Sequence, residues 1–287
     1  MPKPGTSSLH EVLYYGLSDS RYVYCGFGEI NGSYALNALV GLDTYISSVR
    51  CTGLGLSADG YRHRILRRFR RSISSARARG ADLIVSAELC FGWPAQCHQQ
   101  LRELAISHGL DLRVIAYLRP PLDWMASALS QALKLGKAAD HSILKQLYSG
   151  HGLARKPGMV ERLEVLADVY GHEALVLRPF LRQSLEEGCV VRDFCALVGM
   201  SRSPRRIHHH NQSLSLPGSQ CLHRRNQALG RPLRGPRELL SRDGLIDRLQ
   251  RLFPGPPSLR LHSAVLGDLA PFVYEQLDQL QRHFGLE

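Results

Sequence analysis

A parallel α/β fold is what this sequence predicts, and three observations predict it. Short apolar runs at 81–89, 112–118 and 173–178 alternate with longer stretches of helical period. The links between them are short, as in strand–helix–strand units whose strands run parallel. The 287 residues are 44% hydrophobic, enough for a sizeable core. Charged residues make up 21% and there are 26 Gly and 15 Pro, so neither a disordered nor a fibrous chain fits.

The elements follow in order. Leu9, Val12, Leu13, Gly16 and Leu17 recur at helical spacing, and Ser7 or Ser8 is placed to cap that helix. Between Tyr61 and Ala78 the residues Ile65, Leu66, Phe69, Ile73 and Ala76 form one stripe among seven arginines, an amphipathic and very basic helix that Gly80 ends. ADLIVSAEL over 81–89 reads as a buried parallel strand. A helix near 95–108, the strand LRVIAYL over 112–118 and a helix from Pro121 to about Leu135 come next. The alternation continues with a helix over 160–170, the strand EALVLR over 173–178 and a helix over 190–199. Past residue 200 the chain turns to loop and then to helical segments near 219–229, 237–252 and 263–283. The expected organisation is one domain over 1–287, with an α/β core over 1–200 and a loop and helical extension over 201–287. Ligands are expected at the carboxyl ends of the strands.

A net charge of +11 points to an anionic partner. Only five of the 36 cations are lysines, at 3, 134, 137, 145 and 156, so part of the arginine excess reads as composition bias. Apart from Phe69, which belongs to the apolar stripe, no Phe, Tyr or Trp interleaves the arginines of 62–79 to stack bases, and nucleic acid is not the expected partner. No run approaches the roughly 18 apolar residues of a spanning helix, and the opening residues lack a signal sequence, so a cytoplasmic protein without a membrane span is expected. Seven cysteines without a C-x-x-C pair fit reduced thiols. His208, His209 and His210 stand side by side without ligand spacing, and Cys90, Cys97 and His98 find no second pair, so no metal is expected.

Two loops carry the chemistry. Lys3-Pro4-Gly5-Thr6-Ser7-Ser8 sets a cation, a glycine and three hydroxyls at a helix start, where unbonded N–H groups cradle phosphate. It is not a Walker A loop, because G-x-x-x-x-G-K-[ST] does not occur. Arg119 follows the strand LRVIAYL, with Asp123 and Ser127 in the next helix, so that Arg119 and Ser127 could face one phosphate.

Together, Lys-x-Gly-Thr-Ser at the start and Arg119…Ser127 after a later strand resemble the sulfotransferase family. Leu177-Arg178-Pro179-Phe180, CVVRDFCALVGM over 189–200 and Asn211-Gln-Ser213-Leu-Ser215 look like segments of bacterial carbohydrate-type members. The resemblance implies a P-loop-type sheet and 3′-phosphoadenosine 5′-phosphosulfate (PAPS) as donor, with transfer of a sulfuryl group to a hydroxyl or amine, carbohydrate included. It assigns Lys3, Gly5, Thr6, Ser7 and Ser8 to the 5′-phosphosulfate and Arg119 and Ser127 to the 3′-phosphate. Lys3 would also offset charge on the bridging oxygen. For the base, Glu88 is the first candidate, because cytosolic members carry a catalytic histidine after a comparable strand. Glu29 is its rival, because heparan-type members carry a glutamate at a comparable distance from the lysine loop. Family members place an apolar strand directly before that loop, whereas only Met1 and Pro2 precede Lys3, which reads as truncation rather than degeneration. The alternative is a non-catalytic module on a degenerate version of the fold, binding nucleic acid or an acidic glycan.

Overall fold

The computed structural model describes residues 6–42, 51, 53–137, 158–200, 214–230, 235–255 and 263–286. The chain divides into two compact units, one of residues 1–119 and 161–210 and the other of 120–160 and 211–287.

The first unit is α/β. It opens with α1 (Thr6–Tyr15), β1 (Tyr22–Tyr24) and α2 (Ser33–Leu39). Next come the basic helix α3 (Ala58–Arg79), β2 (Asp82–Ile84), α4 (Ala95–Ser107) and β3 (Val114–Leu118). The chain returns to this unit through α6 (Met159–Tyr170), β4 (Leu175–Pro179) and α7 (Val190–Leu197). Among the described residues the strands form two parallel pairs, β1 with β2 and β3 with β4. Their registers run Tyr22↔Asp82 to Tyr24↔Ile84 and Val114↔Leu175 to Leu118↔Pro179.

This differs from the sequence expectation of one sheet built from three strands. The run at 81–89 is a strand over three residues only, and its partner is Tyr22-Val23-Tyr24, a strand too short to show a period. The shortening has a local cause, because the chain turns away at Ser86 to meet α2. A Cβ on Gly32 would lie 3.0 Å from the Ser86 carbonyl, so glycine permits this close approach.

Helix α3 is built as its pattern dictates. Ser57 caps it, accepting from the Gly60 amide at 3.0 Å, with Asp59 in the first turn and Arg77 and Arg79 in the last to complement the helix dipole. Gly80 ends it in the left-handed region. Its buried stripe of Tyr61, Ile65, Phe69 and Ile73 packs with Leu36, Leu39, Phe27 and Trp93 in one cluster. A second cluster joins Leu9, Val12 and Leu13 of α1 to Val191 and Phe194 of α7. Tyr24, Ile84, Ile115 and Tyr117 pack into it, so both strand pairs share one apolar layer.

The second unit is helical. It contains α5 (Pro121–Lys134), α8 (Leu216–Leu229), α9 (Gly235–Leu252) and α10 (Ser263–Phe284). Leu133, Leu214, Leu222, Ile246 and Leu249 form its core. The helix at 121–134, read from sequence as part of the α/β core, therefore groups with the C-terminal helices. The reason is polar as well as apolar. Buried Arg242 donates to the Leu133 carbonyl at 2.7 Å and to that of Lys134 at 3.1 Å, and the Asn226 amide donates to the Leu133 and Lys137 carbonyls. These side chains satisfy carbonyls at the end of α5 that have no intrahelical partner. No described helix is long and apolar enough to cross a membrane.

Candidate functional site

The residues expected from sequence are carried by three parts of the chain. The first is the start of α1. Lys3 and Gly5 lie outside the described residues, and so does the expected convergence of Lys3 with Glu88 and Arg119. Thr6, Ser7 and Ser8 form the first turn of the helix rather than standing before it, so neither serine is the N-cap that its spacing suggested. Ser8 is buried, while Thr6 and Ser7 are half-buried. The first-turn amides of any helix have no intrahelical partner and turn toward a negative charge. One turn further on, His10 is almost wholly buried, and its Nε2 meets no hydrogen-bond partner among the described residues. Burial pulls its pKa down to about 4, so the imidazole is neutral at pH 7. Sequence reasoning missed this residue, although its spacing of four from Thr6 puts the two on one helix face.

The second piece is the pair of loops that carry the candidate bases. Glu88 does not end a strand. It precedes a single 3₁₀ turn over Leu89–Gly92. Its amide donates to Ser33 Oγ at 2.8 Å, and the Leu89 amide does so at 3.2 Å, while that hydroxyl donates to Asn31 Oδ1 at 2.6 Å. The first residue of α2 thus ties the loop after β2 to the loop after β1, and with them the neighbourhoods of Glu88 and Glu29. Glu29 accepts from the Tyr61 hydroxyl at 3.2 Å, which anchors its own loop to α3. The Arg68 guanidinium donates to the Phe27 carbonyl in the same loop. Tyr34 has its pKa raised by burial and by the Glu88 carboxylate. Ser33 and Asn31 were not singled out from sequence. The signal available was the Asn-Gly-Ser run of 31–33, a helix-start composition.

The third piece is the carboxyl end of β3 and β4. Arg119 is the first residue beyond β3, and its guanidinium lies 4.8 Å from the centre of the Phe180 ring, the first residue beyond β4. Below it Asp193 of α7 is buried and accepts from Tyr117 of β3 at 2.7 Å, from Arg178 of β4 at 2.6 and 3.2 Å, and from the Glu186 amide at 3.2 Å. Burial pushes the Asp193 carboxyl up, but these hydrogen bonds outweigh it and hold its pKa below the usual value. Arg178, read as part of a family segment, is therefore engaged within the unit. Ser127 lies half-buried on α5, in the second unit, whereas Arg119 belongs to the first.

A surface groove of about 380 Å³, lined by Arg62, Gln100, Glu103 and Ser107 over leucines, holds none of the candidate residues. His208, His209 and His210 lie outside the described residues. Buried His98 shares a hydrogen bond with the Tyr170 hydroxyl at 3.2 Å and packs on Trp93, whose indole donates to Asn37 at 2.7 Å, a core network rather than a ligand set. Comparison of the chain with protein-family models, with curated proteins and with solved structures finds no match. The functional reading accordingly rests on the residues themselves.

Proposed function

We propose that the protein is a sulfotransferase that moves a sulfuryl group from PAPS to a hydroxyl or amine, with carbohydrates as the acceptor class to test first. The observation that carries this reading is the helix start at Thr6. It brings three hydroxyl residues into a helical first turn, immediately after Lys3 and Gly5 in the chain, and such a turn directs its amides and positive dipole end at an anion, a donor set suited to a 5′-phosphosulfate. Arg119 at the end of a parallel strand supplies a guanidinium for the 3′-phosphate, and the family resemblance gives Ser127 a role toward the same group. The parallel pairing of β1 with β2 and of β3 with β4 supports the finer assignment of a P-loop-type sheet. None of the seven cysteines is in a disulfide, which agrees with a cytoplasmic location.

The chemistry is an in-line displacement. The acceptor oxygen bonds to sulfur as its proton passes to a carboxylate, Glu88 first and Glu29 as the rival. The bond from sulfur to the bridging oxygen breaks, and adenosine 3′,5′-bisphosphate leaves with the negative charge that Lys3 offsets. Positioning and charge stabilisation supply most of the rate, as in phosphoryl transfer.

Adenosine 3′,5′-bisphosphate should stabilise the protein by about 2.7 kcal/mol at 100 Kd, adenosine 5′-monophosphate far less, and Arg119→Ala should erase the difference. Equal stabilisation by the two nucleotides in a thermal-shift titration would sink the assignment. With PAPS and a panel of sugar, phenol and amine acceptors, Glu88→Gln should lower turnover by about 10²–10⁴ while donor binding stays. A collapse in Glu29→Gln instead moves the role to Glu29.

A further inference from the structure

Helix α3 carries eight arginines in 22 residues, against 31 in the whole chain of 287, a density that composition bias spread evenly does not produce. The structure sorts them by what they do. Arg68, Arg77 and Arg79 donate to the carbonyls of Phe27, His108 and Ser20, and Arg62 lines the groove beside α4. Arg64, Arg67, Arg70 and Arg71 are exposed and have no ion pair or hydrogen bond from their guanidinium groups among the described residues.

These four share one side of the helix. At 3.6 residues per turn they fall within an arc of about 120°, opposite the buried stripe, and Arg64 to Arg71 spans about 10.5 Å. The only acidic residue of α3, Asp59, sits in its first turn, away from them. Like charges three and four residues apart repel, so this row weakens the isolated helix and gains no ion pair among the described residues in return. The rest of that face is Gly60, His63, Ser74 and Ala78, with no Phe, Tyr or Trp to stack a row of bases or sugars and no amide side chain to read a base edge. A guanidinium fork matches a phosphate in two hydrogen bonds, and phosphate contacts need neither stacking nor base readout. The lack of an exposed Phe, Tyr or Trp, which counted against nucleic acid at the level of sequence, speaks against single strands only.

We propose that the outer face of α3 docks, without sequence preference, on the phosphate backbone of double-stranded nucleic acid through Arg64, Arg67, Arg70 and Arg71. This surface is independent of the sulfotransferase reading, and its test requires no donor nucleotide.

The test is fluorescence anisotropy of the full chain with labelled DNA duplexes of two unrelated sequences, across a series of salt concentrations. Each phosphate contact contributes about 0.9 to the slope of log K against log salt. Arg67→Gln/Arg71→Gln should therefore lower the slope by about 1.8 and weaken both duplexes equally. Neither residue is buried, and removing like charges should leave the melting temperature equal or higher, which separates lost binding from lost folding. The control is Arg192→Gln/Arg282→Gln, which removes two charges already paired with Glu187 and Asp278. It should leave the slope nearly unchanged. Equal losses in both double variants would mean that net charge rather than this face binds DNA, and the proposal falls. It also falls if the wild type binds no duplex at low salt. The same holds if a sulfated oligosaccharide or vesicles of anionic lipid bind more tightly than the duplex at equal salt and equal charge concentration.

Discussion

Asp193 is where β3, β4 and α7 are held together, and the three side chains in that contact differ in how much each can lose. Asp193 is only 3% exposed, so Asp193→Asn leaves Arg178 facing a neutral amide and should destabilise by about 2–3 kcal/mol, discounted for the part-exposed arginine. Tyr117→Phe removes one charge-assisted bond and should cost about 1–2 kcal/mol. Because both act on one carboxylate, the double variant in urea unfolding should lose less than the sum of the two. Strict additivity would show that the hydroxyl and the carboxylate do not stabilise each other. Arg119, on the same strand end, makes no part of this contact, so the network can hold the strand while leaving its last guanidinium on the Phe180 ring.

Helix α3 shows how far a single element can be read from sequence. Its buried stripe and its end at Gly80 follow from spacing alone. Its cap does not, because Ser57 lies four residues ahead of the Tyr61 start that the spacing gave; Ser57→Ala should cost about 1 kcal/mol, measured as a shift in urea midpoint with an unchanged m-value. A shift below a few tenths would mean that water replaces the hydroxyl at the Gly60 amide. Most helices were legible in the same way, because each buries one periodic face. The strands were less so. β3 and β4 lie near their expected runs and pair in parallel, but Tyr22–Tyr24 is three residues long and its role comes from pairing with residues 60 positions away, which no local pattern records. Likewise Glu88 was recognised by its place after an apolar run. What holds its loop is Ser33 Oγ, a contact 55 residues distant in sequence. The grouping of α5 with the C-terminal helices depends on Arg242 and Asn226 reaching its last carbonyls, and nothing in the α5 sequence announces it.

At the scale of the whole molecule, two neutral buried histidines set the response to acid. His10 and His98 each have a pKa pulled by burial from 6.5 to about 4. A lowered histidine pKa means that the unfolded chain takes up the proton first, so stability is full above about pH 6.5 and is lost as pH falls toward 4. Between pH 7 and pH 5 each should withdraw on the order of 2 kcal/mol. His98→Gln should remove about half of that pH dependence, read from urea midpoints at the two pH values, and an unaltered dependence would rule out His98 as a contributor. The division of the chain into two units bears on its synthesis. All segments of the first unit have been made by residue 210, whereas the second is assembled from 120–160 and 211–287. Leu133 of α5 must wait for Leu214, Leu222, Ile246 and Leu249 to emerge. At about 5–20 residues per second that interval is roughly 6–23 s. During it the apolar side of α5 travels uncovered on the nascent chain, a surface that a ribosome-associated chaperone would meet.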